Sequence, residues 1–263
     1  MMRSCSIAIL VLAAHAGAEM HCGSGPSAIP DGTGSVANWM IDIPEPGEAE
    51  VITNARLMVD ITHPWVGDLS MVLTAPGGIS AMLLDRPGMP NGGWIGAWGC
   101  GGDNIVCMLD DAGSAPAEDT CSLDEVPVLG GNLQPKDELA VFNGLVPGGS
   151  WQVMVLDHSP IDAGSIQQLC LVLETAPDCN GNGVPDGDDI DGGSSEDADG
   201  DGIPDECQCM ADIDGNGRVD VTDLLTVIAD WGCTSGCAGD LDGNGVVNVT
   251  DLLAVISFWG ECN

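Results

Sequence analysis

Between about residue 19 and residue 174, apolar side chains recur at every second position. Leu57, Val59 and Ile61 alternate with Met58, Asp60 and Thr62; the pattern returns at Leu69, Met71 and Leu73, at Trp151, Val153 and Val155, and at Leu169, Leu171 and Leu173. Such alternation buries one face of a strand and wets the other. Gly, Pro, Asn and Asp separate the runs, so the stretch predicts short strands and turns in a β-sandwich, with no segment holding a helical period. With few aromatics, its core should be aliphatic with a few tryptophans. After Glu174 the pattern stops. Residues 176 to 209 are Gly, Asp, Asn and Pro with almost nothing apolar. They cannot bury a core, so the segment is either a disordered linker or organised by bound metal.

From Met210 a different order begins, and it is duplicated. Asp212-Ile213-Asp214-Gly215-Asn216-Gly217-Arg218-Val219-Asp220-Val221-Thr222-Asp223-Leu224-Leu225 is echoed by Asp240-Leu241-Asp242-Gly243-Asn244-Gly245-Val246-Val247-Asn248-Val249-Thr250-Asp251-Leu252-Leu253, an offset of 240 − 212 = 28 residues. Trp231-Gly232 is echoed by Trp259-Gly260. Leu224, Leu225, Ile228 and Trp231 fall on one apolar stripe of a helix, and Leu252, Leu253, Ile256 and Trp259 copy it. Pro204, Cys207 and Cys209 precede the first copy and Cys233 to Gly239 the second, neither of them a helical sequence. Each unit is therefore predicted as a loop plus an exiting helix.

The loops carry a cation-binding spacing. A calcium loop needs hard oxygen ligands at positions 1, 3, 5, 7, 9 and 12, with glycine at 6 for the turn and a backbone carbonyl at 7. The first copy supplies Asp212, Asp214, Asn216, the Arg218 carbonyl, Asp220 and Asp223, around Gly217. The second supplies Asp240, Asp242, Asn244, the Val246 carbonyl, Asn248 and Asp251, around Gly245. Position 12 is Asp in both, shorter than the usual Glu. The preceding segment fits the same template twice. Asp178, Asn180, Asn182, the Val184 carbonyl, Asp186 and Asp189 fill one loop; Asp197, Asp199, Asp201, the Ile203 carbonyl and Asp205 fill another, whose position 12 is Gln208. The alternative for these two is a flexible acidic linker.

Charge and cysteines sharpen the picture. Acids outnumber bases 41 to 5, for a formal charge of −36. Such a chain repels nucleic acid and anionic membrane. Met1-Met2-Arg3, an apolar run from Ile7 to Ala14 and Ala16-Gly17-Ala18 read as a secretory signal peptide ending at 18. No later stretch is suited to membrane insertion, so the expected location is secreted or cell surface. Removing the leader leaves eleven of twelve cysteines, implying disulfides and one odd thiol. Cys209 and Cys237 each lie three residues before a loop, and Cys233 and Cys262 follow the helices. The repeat favours Cys209–Cys233 and Cys237–Cys262; a pairing of Cys209 with Cys262 and Cys233 with Cys237 is the alternative. Cys179 then pairs with Cys207, and the odd thiol falls among Cys22, Cys100, Cys107, Cys121 and Cys170.

Residues 210–263 resemble a type I dockerin, a tandem of half EF-hands. The resemblance implies calcium binding, antiparallel helices and a cohesin-like partner, though the basic residues often found along the dockerin recognition helix are absent. The string Asp-Cys-Asn-Gly-Asn-Gly-Val-Pro-Asp at 178–186 resembles thrombospondin type 3 repeats, which are calcium-wrapped and disulfide-clipped. Ile61-Thr62-His63-Pro64-Trp65-Val66-Gly67-Asp68-Leu69, with Asp110-Asp111-Ala112, Phe142-Asn143-Gly144, Trp151 and Asp157, resembles the P domain (Homo B domain) of subtilisin-like proprotein convertases. That implies a jelly-roll β-sandwich that works beside a serine protease; Asp68, Asp110, Asp111, Asp157 and Asp162 are candidate ligands there, each equally able to cap a turn. The expected architecture is mainly β: signal peptide 1–18, P-like jelly-roll β-sandwich 19–175, thrombospondin-like calcium spacer 176–209 and dockerin-like α-helical tandem 210–263. No Gly-x-Ser-x-Gly elbow, H-E-x-x-H or P-loop occurs, so no catalytic residue is assigned. The expected function is noncatalytic, calcium-dependent association with a protein partner. Alternatives are an accessory component of a secreted protease and a polysaccharide hydrolase borne on the dockerin-like end.

Overall fold

The computed structural model describes residues 17–32, 36–47, 49–88, 99–197 and 200–261. Most of the expected leader, Asp199 and Cys262 lie outside the described residues. The chain divides into two compact units, one built mainly of residues up to Thr175 and one mainly of 176–263.

The first unit is made of strands because its alternating positions leave each segment one apolar face to hide. They are β1 (Ala18–Cys22), β2 (Ser27–Ile29), β3 (Val36–Ile43), β4 (Glu50–Thr62), β5 (Leu69–Thr74), β6 (Ser80–Asp85), β7 (Ile105–Leu109), β8 (Leu129–Leu133), β9 (Gly149–Asp157) and β10 (Gly164–Pro177). One sheet runs β1-β10-β4-β7-β8, with β2 also on β10; the other runs β3-β9-β5-β6. β7 and β8 pair in parallel. Their side chains meet in one buried apolar cluster. Leu57, Val59 and Ile61 of β4 face Met71, Leu73, Val153 and Val155 there, as the alternation predicted. Trp151 is fully buried, donates Nε1–H to the Pro147 carbonyl at 2.9 Å, and meets Phe142 edge-on at 5.1 Å between centroids. Asp157 continues the inward row Trp151, Val153, Val155 and is completely buried. A carboxylate there needs partners. The Ser159 amide donates to its Oδ1 at 3.0 Å, and His63 Nε2 stands 3.4 Å from Oδ2. The Trp65 amide donates to His63 Nδ1 at 3.1 Å, so the imidazole proton sits on Nε2, toward Asp157.

Cys22–Cys170 joins paired positions of β1 and β10, and Cys100–Cys121 closes a loop. Cys107 is the odd thiol, and it lies in this unit as expected. Burial pushes its pKa up to about 12, so it is inert rather than a nucleophile.

The second unit is ordered from its first residues. Cys179–Cys207 clips the spacer as expected, and a short helix α1 (Asp186–Gly192), unforeseen in the sequence, ends on left-handed Gly193. Helices α2 (Val221–Ala229) and α3 (Val249–Ser257) leave the duplicated loops, and β11 (Arg218–Val219) pairs with β12 (Gly260–Glu261). The core is small: Ala211, Val219, Val227, Val247 and Val255, flanked by Leu224, Leu252 and Phe258. Val219 and Val227 map onto Val247 and Val255 by the 28-residue offset. Ala211 maps onto Gly239, where an added Cβ would lie 3.0 Å from the Val227 Cα.

Two expectations change here. Leu224, Leu225, Ile228 and Trp231 do not share one face: Leu224 packs inward with Val227, while Leu225, Ile228 and Trp231 stay about half exposed, as do Leu253, Ile256 and Trp259. The helices are apolar on two sides, which a single-stripe reading merges. The favoured disulfide closure is also overturned. Cys233 bonds Cys237, so neither Cys209–Cys233 nor Cys237–Cys262 forms. The turn brings these two α-carbons to 6.1 Å, inside the span a disulfide needs.

Candidate metal centres

The four acidic loops share one backbone. Position 4 is a left-handed glycine in each: Gly181, Gly200, Gly215 and Gly243 have φ of 69°, 74°, 70° and 64°. Position 6 is another: Gly183, Gly202, Gly217 and Gly245 have φ of 86°, 88°, 84° and 84°. Only glycine takes these values without steric cost. The position-6 amide donates to the position-1 carboxylate in every loop, at 2.9 Å (Asp178), 3.0 Å (Asp197), 2.7 Å (Asp212) and 3.0 Å (Asp240). The template spacing marks position 6 and not position 4, although the glycine stands there in all four copies.

In the duplicated loops the position-12 residues Asp223 and Asp251 are fully buried. Asp223 Oδ1 accepts from the Ile213 and Asp214 amides at 2.8 and 3.3 Å, and Oδ2 from the Asp220 amide at 2.9 Å. Asp251 repeats this with Leu241, Asp242 and Asn248. These bonds draw the chain round, so that carboxylate oxygens of Asp212, Asp214 and Asp223 lie within 4.8 Å of one another, as do those of Asp240, Asp242 and Asp251. At position 9, Asp220 and Asn248 serve as N-caps, accepting from the Thr222 and Thr250 amides at 2.7 and 2.9 Å.

The loops differ in electrostatics. Asp214 is held above the usual carboxylate range, first by desolvation and then by repulsion from Asp223, Asp212 and Asp220. Asp242 is held below it, chiefly because the Thr250 hydroxyl donates to Oδ2 at 2.7 Å. In the first copy the same hydroxyl, on Thr222, turns to Asp220 instead, at 2.8 Å. Asp240 Oδ1 is buried with no hydrogen-bond partner, whereas its counterparts on Asp178, Asp197 and Asp212 accept from the position-5 amide.

The spacer loops close differently. Asp178 and Asp189 are both buried and are linked through Asn182, whose amide N–H donates to Asp178 and whose Nδ2 donates to Asp189 at 2.7 Å. Asn180 Nδ2 also donates to Asp189, at 3.2 Å. The Ser194 hydroxyl holds Asp189 below its ordinary range. Asp186 accepts from the Cys179 amide at 2.9 Å. It lies near the sulfurs of Cys179 and Cys207, but these form a disulfide and offer no thiolate. In the loop at 197, Gln208 Nε2 is 2.7 Å from Asp201 Oδ1 and 3.2 Å from the Ile203 carbonyl. A neutral donor there engages the oxygens of positions 5 and 7. Gln208→Glu should turn that donor into a ligand and tighten cation binding at this loop roughly tenfold or more. Calorimetric titration of the full chain checks this; an unchanged isotherm would count against it.

Of the aspartates singled out in the β unit, Asp68 and Asp157 meet through Ser159, while Asp110 and Asp111 serve local roles. Asp110 accepts from the Ala112 amide, and Asp111 from the Leu139 and Ala140 amides, all at 2.8 Å. These are turn and helix caps. Asp68 accepts from the Ser159 hydroxyl at 2.8 Å and is held above its ordinary range mainly by burial.

Residues 52–95 match the family model of the proprotein convertase P-domain. That supports a P domain in the first unit. The matched span carries β5, β6, His63 and Asp68. No curated protein matches the chain. Among solved structures, the serine protease of Aeromonas sobria in complex with the chaperone ORF2 is similar at 16% identity and TM-score 0.36, over 61% of this chain and 26% of that one. The Aeromonas sobria serine protease alone is similar at 13% identity and TM-score 0.27, over 59% and 27%. The chain thus spans about a quarter of either protein, and likenesses this weak carry no argument about activity.

Proposed function

We propose that this chain is a secreted, noncatalytic association protein whose calcium-bound tail presents a docking face. One observation carries the reading: the apolar residues left outside by the duplicated helices. Val221, Leu225, Ile228 and Trp231 are each exposed over half their surface or more, and so are Val249, Leu253, Ile256 and Trp259 at the same offsets. Single exposed apolar residues are ordinary; a duplicated set on adjacent helices marks an interaction surface. A dockerin-like role for 210–263, with a cohesin-like protein partner, belongs to this proposal.

The donor chemistry suits calcium. The loops offer carboxylate, amide and carbonyl oxygens and no free sulfur or imidazole, a hard set. The orphaned Asp240 Oδ1 is the kind of atom a cation would satisfy. Asp212, Asp214, Asn216, Asp223 and the Arg218 carbonyl would hold one ion; Asp240, Asp242, Asn244, Asp251 and the Val246 carbonyl a second. The spacer would add one or two, as a thrombospondin-like segment. Disulfides fit an oxidising compartment outside the cytosol, and no described helix is long and apolar enough to cross a membrane. Titration of the full chain should find at least two bound calcium ions. Pull-down with it should recover a partner that Leu225→Asp plus Leu253→Asp releases. One ion or none would reject the calcium reading, and a partner indifferent to both substitutions the docking face.

A second reading rests on the P domain: that unit would accompany a secreted serine protease on another chain. The outer face of its four-stranded sheet favours it, since Val36, Met40 and Met154 are exposed there on neighbouring strands. Methionine adapts to varied partner surfaces. Co-purification of a protease that Met40→Glu plus Met154→Glu abolishes would favour this reading over the first.

A further inference from the structure

Four of the six Asn-Gly pairs in the chain lie in the acidic loops: Asn180-Gly181, Asn182-Gly183, Asn216-Gly217 and Asn244-Gly245. Asn-Gly is the dipeptide most open to deamidation, because glycine puts no side chain in the way of the reacting nitrogen. We propose that these pairs are modification sites which bound calcium keeps closed, so that loss of the ion is recorded as a permanent covalent change. The proposal rests on the calcium reading above.

In the reaction the glycine amide nitrogen gives its proton to hydroxide and attacks the asparagine Cγ. Ammonia leaves and a five-membered succinimide forms. One water then opens the ring at either carbonyl, leaving aspartate or isoaspartate. The net change is one water consumed and one ammonia released, with no oxidation.

The folded loops restrain the reacting groups, most completely at Asn182-Gly183 and Asn244-Gly245. The amides of Gly183, Gly217 and Gly245 are bound to the carboxylates of Asp178, Asp212 and Asp240 at 2.9, 2.7 and 3.0 Å. A carboxylate at that distance opposes loss of the proton, since the amide anion would face a second negative charge. At two of the sites the asparagine side chain is pinned as well. Asn182 Oδ1 accepts from the Val184 amide at 2.7 Å while Nδ2 donates to Asp189 at 2.7 Å. Asn244 Oδ1 accepts from the Val246 amide at 2.9 Å while Nδ2 donates to Asp242 at 2.7 Å. All of these restraints are local to the loop. When the ion goes, the loop opens and releases them together, pushed in the duplicated copies by their crowded carboxylates. Aspartate at position 5 would add a ligand charge; isoaspartate would lengthen the backbone by one carbon and destroy the ligand spacing.

The chain contains its own control. Asn143-Gly144 lies in the β unit, where the Gly144 amide donates to the Ile52 carbonyl at 2.8 Å, a bond that owes nothing to calcium. The full chain is incubated at mildly alkaline pH with calcium, with chelator and in denaturant, and each Asn-Gly peptide is then assayed by mass for aspartate and isoaspartate. The loop sites should be modified at least ~10-fold faster under chelator than under calcium, as opening limits reaction. Asn143 should stay intact in both and react only in denaturant. Equal loop rates with and without calcium overturn the proposal if titration shows ions bound. If titration shows none, equal rates overturn the calcium reading beneath it. Asn143 reacting as fast as the loops under chelator also overturns it, because the local release would then have no part.

Discussion

Adding excess chelator to the full chain is expected to abolish the helical signal of α2 and α3, and the amide protection of 178–261, while the strands of the first unit keep theirs. The two units differ in what holds them. The first buries apolar side chains from two sheets in a single cluster. The second buries one alanine and four valines. A core that small does not offset the conformational entropy of the segment it must order. Cys233–Cys237 spans only four positions and helps little, and Cys179–Cys207, which closes 28 positions, clips the spacer and not the helical repeat. Against folding stand three carboxylates in each duplicated loop with oxygens inside 4.8 Å. Asp214 is shifted upward first by desolvation and then by that repulsion. An ion that binds only the folded tail adds about 2.7 kcal/mol at a hundredfold excess over its Kd, and more with each further site. Hydrogen exchange read by mass spectrometry resolves the units separately. Protection in 178–261 that survives chelation would show that the tail folds without the ion.

Much of this arrangement was legible in the chain, for identifiable reasons. The alternation at Leu57, Leu69, Trp151 and Leu169 marks strands because burial acts on one face at a time. The loop spacing was legible because ligands, glycines and helix starts are all local in sequence. What escaped depends on distance or on a second face. β7 and β8 pair in parallel across the intervening 110–128 segment, with no local sign of the partner. The closure at Cys233–Cys237 stood only as the alternative because the repeat suggests equivalence between cysteines, while bonding follows the turn between them. The outward apolar row escaped because Leu224 and Leu225 are neighbours in a pattern that assigns apolar residues to one side; only the packing separates Leu224, turned inward, from Leu225, turned to solvent. Position 12 was assigned solely to metal ligation. The structure gives it a second task, the backbone amides it gathers, and no ligand template contains that information.

That second task sets the largest single-residue effect expected in the tail. Asp223 has no solvent exposure and accepts three backbone amides, from Ile213, Asp214 and Asp220. It forms a capping box with Asp220 at the start of α2, and Asp251 does the same with Asn248 for α3. Asp223→Ala removes a proposed ligand and also strands these donors. These bonds are part-buried, and each amide left unpaired costs about 1 kcal/mol, so the loss reaches at most roughly 3 kcal/mol before the ligand is considered. At about 1.4 kcal/mol per tenfold, that is on the order of a hundredfold more calcium to reach the same folded fraction. Asp223→Asn keeps one oxygen and the side-chain shape, so it should fall between wild type and Ala. Asp220→Ala removes the N-cap, at a cost of about 1 kcal/mol, and the position-9 oxygen, so it should shift the midpoint less than Asp223→Ala. Calcium titration of the full chain followed by circular dichroism gives all three midpoints. An Asp223→Ala chain that folds at the wild-type calcium concentration would show that the loop's closure does not depend on its buried carboxylate.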